Sequence, residues 1–157
     1  MPPAALLDDL IKLPHHTAIC VDDFEKTRAF YTDILGFVVE GEMDNRSEPG
    51  LNRVVALADV VIRWAMLRKQ AYRVELFKYY HPVGAKTIRR QCDSGYTHMA
   101  FEVSDVDEAY RRIVAAGYKT TCPPQRLRGG RTKVIYVLEP EGNATELIEF
   151  PSGPYDT

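Results

Sequence analysis

The stretch HHTAICVDDFEKTRAFYTDILGF, residues 15–37, returns in altered form as YTHMAFEVSDVDEAYRRIVAAGY, residues 96–118. Each copy contains a histidine, an alternating run typical of a strand, an acidic turn, and a helical pattern that ends at a glycine followed by an aromatic residue. His16 and His98 are 82 positions apart (98 minus 16), and Ala18 and Ala100 have the same offset. The repetition predicts that the chain contains two copies of one structural unit.

Each predicted helix is preceded by residues suited to capping its N-terminus. Asp22 precedes Glu25 in the first copy, and Ser104 precedes Asp107 in the second. An N-cap oxygen accepts a hydrogen bond from a free backbone N–H group, and an acidic residue in the first turn suits the helix dipole. We therefore expect helices to begin directly after Asp22 and Ser104.

Further β-type runs follow each helix. The first copy continues with FVVEGE, NRVVALAD, VVIRWAMLR and YRVELFKYY, and the second with YKTTC, KVIYVLEP and ATELIEF. These runs predict an α+β fold, a single domain over residues 1–157 made of two βαβββ modules paired into a curved open sheet. The modules span about residues 14–80 and 96–150, and residues 81–95 connect them.

Composition excludes several classes of function. The chain has 157 residues, is 45% hydrophobic and has a formal net charge of −2, without a polybasic run that would bind nucleic acid. No apolar stretch is long enough to span a membrane. Three cysteines without a CxxC motif favour a reduced, cytoplasmic protein.

The N-terminal segment carries apolar residues at helical spacing, namely Leu6, Leu7, Leu10 and Ile11. This spacing predicts a short amphipathic helix that packs on the domain or on a partner. Because such a segment suits an interface, we expect a homodimer.

The last strand of each unit contains a second repeated motif, a Glu-Leu dipeptide. Glu75-Leu76 lies in YRVELFKY, and Glu146-Leu147 lies in NATELIEF. The duplication thus supplies one histidine and one glutamate twice, in equivalent places. Two imidazoles and two carboxylates suit a divalent cation such as Zn²⁺, Ni²⁺, Co²⁺, Fe²⁺ or Mn²⁺. We expect His16, Glu75, His98 and Glu146 to hold one such ion and to leave positions open for a small-molecule substrate.

These motifs resemble those of the vicinal oxygen chelate superfamily, which includes glyoxalase I, methylmalonyl-CoA epimerase and the extradiol dioxygenases. The likeness covers about residues 14–150, and the turn Glu139-Pro140-Glu141-Gly142-Asn143 is similar to the DPxGN-type turn before the family's ligand glutamate. The resemblance implies paired βαβββ modules around a metal cup. It places the family's ligand positions on His16, Glu75, His98 and Glu146.

The resemblance leaves several activities open. Our first reading is a metal-dependent epimerase or isomerase that moves a proton next to the carbonyl of a small, cyclitol- or sugar-like hydroxyketone through an enediolate. The 2-epi-5-epi-valiolone epimerases are one group of this kind. The alternatives are a lactoylglutathione lyase of the glyoxalase I type, an Fe²⁺ ring-cleaving dioxygenase, and a non-catalytic protein that binds a small molecule. Glyoxalase I places a glutathione-binding arginine on the first strand, where this chain has Cys20.

Within the epimerase reading, we predict Glu146 as the base and Glu75 as its counterpart on the other face of the substrate. Phe77 and Tyr79 alternate with Glu75, so we predict that they share its face and contact substrate. Of the neighbours Arg63 and Trp64, only one can share that face. His15 is expected to point away from His16.

Two loops are candidates for gating this site. They are residues 42–52 and the basic segment 122–133, which contains Arg126, Arg128, Arg131 and Lys133. The basic segment would either attract an anionic substrate or form a solvated turn.

Overall fold

The computed structural model describes residues 6–7, 10–87 and 90–153. The chain divides into two compact units, one containing the described residues up to Phe24 together with Tyr31–Val83, and the other containing Glu25–Phe30 and the described residues from Gly84 onward. Both are mixed α and β structure, which confirms the predicted α+β class. No helix in the described ranges is both long and apolar enough to cross a membrane.

The first unit is built on a four-stranded sheet in the order β1-β4-β3-β2, in which β1 runs parallel to β4 and the other neighbours are antiparallel. The first copy of the repeat contributes its elements in this chain order: β1 Thr17–Cys20, α1 Phe24–Ala29, a π-helical turn Phe30–Ile34, β2 Val38–Arg46, α2 Pro49–Val55, β3 Val61–Lys69 and β4 Tyr72–His81.

The second unit repeats this plan with the order β5-β9-β8-β6, and the short β7 also pairs with β8. Here β5 runs parallel to β9, as β1 does to β4. The elements from the second copy are these: β5 His98–Glu102, α3 Val106–Ala115, β6 Lys119–Thr120, β7 Gln125–Leu127, a 3₁₀ turn Arg128–Gly130, β8 Thr132–Leu138 and β9 Ala144–Glu149.

Strand alternation separates the core from the opposite face of each sheet. In β4, Val74 and Leu76 are fully buried, whereas Glu75 and Phe77 between and beyond them are half-buried. In β9, Thr145 and Leu147 are buried on either side of the half-buried Glu146. The burial of these neighbours therefore fixes which way each glutamate points.

Two sequence predictions about the first unit are wrong. The sequence predicts a strand over residues 52–59, but Pro49–Val55 form helix α2 and residues 56–60 lead into β3. The expected gating loop 42–52 is occupied by the end of β2 and the start of this helix. Pro49 at the first helical position suits a helix start, and the αL conformation of Ala56 (φ 54°) ends it. The valines in this stretch favour a strand, but their β propensity is a weak preference that the helix-start and helix-end signals outweigh.

The N-terminal prediction is met only as a turn. Backbone N–H groups of Leu10 and Ile11 donate to the Leu7 carbonyl at 3.0 Å, and both side chains are exposed. Residues 8 and 9 of the predicted helix lie outside the described residues.

Helix α3 begins one residue later than the sequence predicts. Its N-cap is Asp105, whose carboxylate Oδ1 accepts from the backbone N–H of Glu108 at 2.9 Å. Glu149, at the end of β9, accepts from the backbone N–H of Val106 at 2.9 Å. Two of the free N–H groups of the first turn are therefore satisfied, and the helix is tied to the strand that carries Glu146.

Removing the Asp105 cap should cause a measurable loss of stability. We expect Asp105→Ala to lower the free energy of unfolding by about 0.5–2 kcal/mol, because the Glu108 N–H loses its acceptor. Ser104→Ala is the matched control, since Ser104 is the cap expected from sequence and is exposed. Urea unfolding of both variants checks the assignment, and an equal or greater loss in the Ser104 variant would contradict it.

Candidate functional site

The two parallel strand pairs place their histidine and glutamate in the same register. Ala18 lies opposite Glu75 in the first unit, and Ala100 lies opposite Glu146 in the second. In both units the histidine is two residues before that alanine. His98 and Ala100 are two apart on β5 and therefore share a face, whereas His16 directly precedes β1. The small alanine opposite each glutamate leaves space beside it.

In the first unit, His16 and Glu75 are in direct contact. The imidazole Nε2 of His16 lies 2.9 Å from Oε2 of Glu75, and their side chains are 34% and 14% exposed. The contact brings together the two ligand-type residues that the repeat predicts for this unit. Both retain some access to solvent, as a binding site requires.

Trp64 fixes the other oxygen of Glu75. Its indole Nε1–H donates to Oε1 at 2.5 Å, so both carboxylate oxygens of Glu75 have partners. Arg63, the neighbour, stacks over the ring of Phe24 at 4.3 Å and pairs with Glu42 at 2.5 Å. The choice that the sequence left open is thus resolved in favour of Trp64.

Tyr79 and Phe77 extend this face along β4. Their ring centroids are 6.3 Å apart, and both side chains are half-buried. Burial, together with the charges of Cys20 and Glu75, raises the pKa of Tyr79. The phenol therefore stays protonated at neutral pH and can donate a hydrogen bond. Their position on the Glu75 side is as predicted, and their contact with substrate stays a prediction.

The second unit contains the equivalent pair. Nε2 of His98 lies 3.2 Å from Oε2 of Glu146, with side chains 27% and 16% exposed. Tyr136 lies opposite Glu146 in the β8–β9 ladder, and its ring is 4.9 Å from the imidazole of His98. Burial and the charge of Glu146 raise the pKa of Tyr136, so this phenol is also a neutral donor.

A cavity of about 250 Å³ opens beside Glu146 within the second unit. Its walls are mainly apolar, with Glu146 as the one carboxylate among them. The residues that line it are Thr121, Cys122, Gln125, Leu127, Val134, Ile135, Tyr136 and Glu146. The volume suits part of a small molecule rather than a macromolecular partner.

The cations of the predicted basic loop are not among the residues that line this cavity. Gln125 and Leu127 of β7 line the cavity, whereas Arg126 between them pairs in register with Lys133. Lys133 forms an ion pair with Asp107 of α3. The segment 122–133 therefore contributes an uncharged wall to the cavity, and these two cations belong to the opposite face of the strands.

The residue immediately before each histidine contacts its second ring nitrogen. Nδ1 of His15 lies 2.8 Å from Nδ1 of His16, and Oγ1 of Thr97 lies 3.0 Å from Nδ1 of His98. The expectation that His15 points away from His16 is therefore wrong. Strand β1 begins only at Thr17, so strand alternation does not apply to these two residues.

The donor types in each pair fit a divalent cation, since imidazole nitrogen and carboxylate oxygen are both ligands for borderline metals. Within the ranges that the structure describes, no three or more His, Cys, Asp or Glu side chains are grouped so as to hold a metal ion. The four predicted ligands are thus brought together as two pairs, each within its own unit.

The sequence did not predict Tyr136, the lining of the cavity, or the contacts of His15 and Thr97 with Nδ1 of the two histidines. The signal for Tyr136 was present, because the turn Glu139–Asn143 closes a hairpin in which Leu138 lies opposite Ala144. Counting back from that turn puts Tyr136 opposite Glu146. The cavity had no comparable signal, because β7 has only three residues.

Comparison with known proteins supports the same reading of the fold. Residues 13–147 match the Glyoxalase/Bleomycin resistance protein/Dioxygenase superfamily. A 2-epi-5-epi-valiolone epimerase from Actinomyces sp is 29% identical over 146 residues, which cover 88% of this chain and 80% of that protein. A probable lactoylglutathione lyase from Synechocystis is 26% identical over 137 residues, which cover 87% of this chain and 95% of that protein.

Among solved structures, a glyoxalase family protein from Bacillus cereus has a TM-score of 0.81 to this chain. The match covers 93% of this chain and 99% of the other, at 20% sequence identity. An identity this low supports a shared fold alone. The sequence match over residues 13–147 shows that the chain belongs to the Glyoxalase/Bleomycin resistance protein/Dioxygenase superfamily.

Proposed function

We propose that the protein is a divalent-metal-dependent epimerase or isomerase that moves a proton at the carbon next to the carbonyl of a small hydroxyketone. The observation that carries the proposal is the recurrence of a His Nε2–Glu Oε2 contact at equivalent positions of the two repeats. The similarity to a 2-epi-5-epi-valiolone epimerase supports a substrate of the cyclitol type.

His16, Glu75, His98 and Glu146 are proposed as the ligands of the cation. Half-buried imidazole and carboxylate groups in such pairs bind each other when no cation is present, and each can exchange that contact for a metal bond. A bound divalent cation would supply Lewis-acid stabilisation of negative charge on the substrate's carbonyl oxygen. Proton transfer and hydrogen bonding to the substrate would be carried out by side chains of this chain.

Glu146 is the proposed base because its surroundings differ from those of Glu75. Both oxygens of Glu75 are engaged, by Trp64 and by His16. Glu146 contacts His98 through Oε2, and it lines the cavity. A carboxylate that faces a cavity can reach a substrate proton at less cost in broken hydrogen bonds. Tyr136 lies opposite Glu146 and its phenol stays protonated, so it can donate a hydrogen bond to a substrate oxygen.

The direct test is proton exchange with solvent. Purified protein is loaded with Zn²⁺, Ni²⁺, Co²⁺, Fe²⁺ or Mn²⁺ in turn and incubated in D₂O with a cyclic polyhydroxyketone. NMR then follows deuterium incorporation next to the carbonyl and inversion at that carbon. We expect both with at least one metal and neither after chelation. Absence of exchange with every metal would contradict the proposal.

Lactoylglutathione lyase activity is the second candidate. The match to the probable lactoylglutathione lyase covers 87% of this chain and 95% of that protein. Its chemistry also begins with proton removal next to a carbonyl. The discriminating measurement compares the hydroxyketone with the adduct of glutathione and methylglyoxal. Turnover of the adduct alone would favour the lyase.

Trp64 provides a built-in reporter for the first half of the proposed site. It is the one tryptophan of the chain, and its indole N–H donates to Oε1 of Glu75. We expect added Zn²⁺ to change the tryptophan emission with saturation, because ligation alters the charge on that carboxylate. A fluorescence titration of the wild-type protein makes the measurement.

Glu75→Gln is the control for this titration. The amide leaves the tryptophan in place but weakens ligation in the first unit, so the emission change should shrink or require more Zn²⁺. An identical response in wild type and variant would show that Glu75 is not a ligand.

A further inference from the structure

We infer that His15 and Thr97 are positioning residues, which hold the two ligand histidines so that Nε2 of each faces its glutamate. The inference rests on the proposed metal site, and it extends that site to residues outside the ligand set.

The first support is that the same arrangement occurs twice with different chemistry. In the first unit an imidazole nitrogen lies 2.8 Å from Nδ1 of His16, and in the second a hydroxyl oxygen lies 3.0 Å from Nδ1 of His98. In both units the partner is the residue directly before the histidine. In both units Nε2 is the nitrogen that contacts Oε2 of the glutamate.

The second support is that both partners can act as donor or acceptor. While Nε2 carries the ring hydrogen and donates it to the glutamate, Nδ1 needs a donor. When Nε2 serves as a metal ligand, the ring hydrogen is on Nδ1, which then needs an acceptor. A threonine hydroxyl meets either need by rotating, and an imidazole meets either need in one of its neutral tautomers. A backbone carbonyl could only accept a hydrogen bond from Nδ1 and could not donate one to it.

The third support is local geometry. Thr97 precedes β5, and His15 precedes β1 by two residues, so neither belongs to a strand ladder. The ring contact of His15 with His16 is edge-on, with centroids 5.1 Å apart and planes at 84°. Such a contact restricts rotation of the ligand ring, which raises the fraction of molecules ready to bind.

The test measures Co²⁺ binding and its visible absorption in full-length variants. Thr97→Val removes the hydroxyl without changing the side-chain shape, and His15→Phe keeps a ring without nitrogen. We expect each to weaken Co²⁺ affinity by about 10- to 100-fold and to shift the absorption band, as loss of an outer hydrogen bond does at metal sites. Thr97→Ser keeps the hydroxyl and should restore wild-type affinity.

Thr17→Val is the matched control, because the Thr17 hydroxyl bonds Tyr72 at 2.8 Å and is adjacent to His16 in sequence. It should leave Co²⁺ affinity unchanged. In the metal-free protein, long-range ¹H–¹⁵N NMR reports which ring nitrogen carries the hydrogen. We expect Thr97→Val to change the signals of His98 and not those of His16.

The outcomes separate this inference from the proposed function. Lack of Co²⁺ binding by the wild-type protein would refute the metal site itself. Wild-type binding with unchanged affinity in both Thr97→Val and His15→Phe would overturn the positioning role alone. Equal loss in Thr97→Val and Thr97→Ser would also overturn it, since the hydroxyl would then not be responsible.

Discussion

We expect Glu146→Gln to lower the rate of deuterium exchange next to the carbonyl of the proposed substrate by about 10²- to 10⁴-fold, the range that general acid–base catalysis contributes. The amide keeps the size of the carboxylate and can still contact His98, but it cannot accept the substrate proton. Most of the metal should be retained, because three of the four proposed ligands are unchanged, although the amide is a weaker ligand than the carboxylate. The measurement is the NMR exchange rate at saturating substrate, divided by the bound metal per chain.

Glu75→Gln is the paired variant, because it makes the same change at the equivalent position of the other repeat. Glu75 is held by Trp64 and His16, so we expect its loss to reduce metal affinity more than exchange per bound metal. A collapse of exchange in Glu75→Gln with normal exchange in Glu146→Gln would reverse the assignment of the base.

The repeat is the reason that the two His–Glu pairs of the candidate site could be predicted from sequence. A duplication converts weak evidence from one histidine or one glutamate into an expectation about two pairs. The parallel register of β1 with β4 and of β5 with β9 then realises each pair. Val74 and Leu76 are apolar and buried on one face of β4, so the alternation of side chains along a strand is enough to predict that Glu75 lies on the other face.

The features that sequence did not predict depend on contacts beyond strand periodicity. His15 lies outside a strand, so side chains do not alternate between two faces there, and its ring contacts that of His16. The cavity beside Glu146 depends on the short strand β7, which is stabilised by pairing with β8 rather than by its own propensity. Helix α2 begins at Pro49 in a valine-containing stretch, where backbone geometry outweighs β propensity.

Replacing His16 and His98 together by Ala should abolish the stabilisation that a divalent cation confers on the folded protein. At a Zn²⁺ concentration 100 times the dissociation constant, the wild type should gain about 2.7 kcal/mol, which would raise the melting temperature by about 5–10 °C for a chain of this size. The double variant loses both imidazole ligands, so its melting temperature should be the same with and without Zn²⁺. Thermal unfolding followed by circular dichroism makes the comparison.

His81→Ala is the control for that experiment. His81 lies outside the repeated positions, and its Nδ1 contacts the backbone carbonyl of Asp59 at 2.8 Å. It should retain the full Zn²⁺-dependent shift even if its melting temperature without metal is slightly lower. The metal-free double variant must still unfold cooperatively, which shows that the histidines are not needed for folding. A double variant that keeps the wild-type shift would place the cation on other side chains, and the two His–Glu pairs would then be hydrogen bonds of the fold alone.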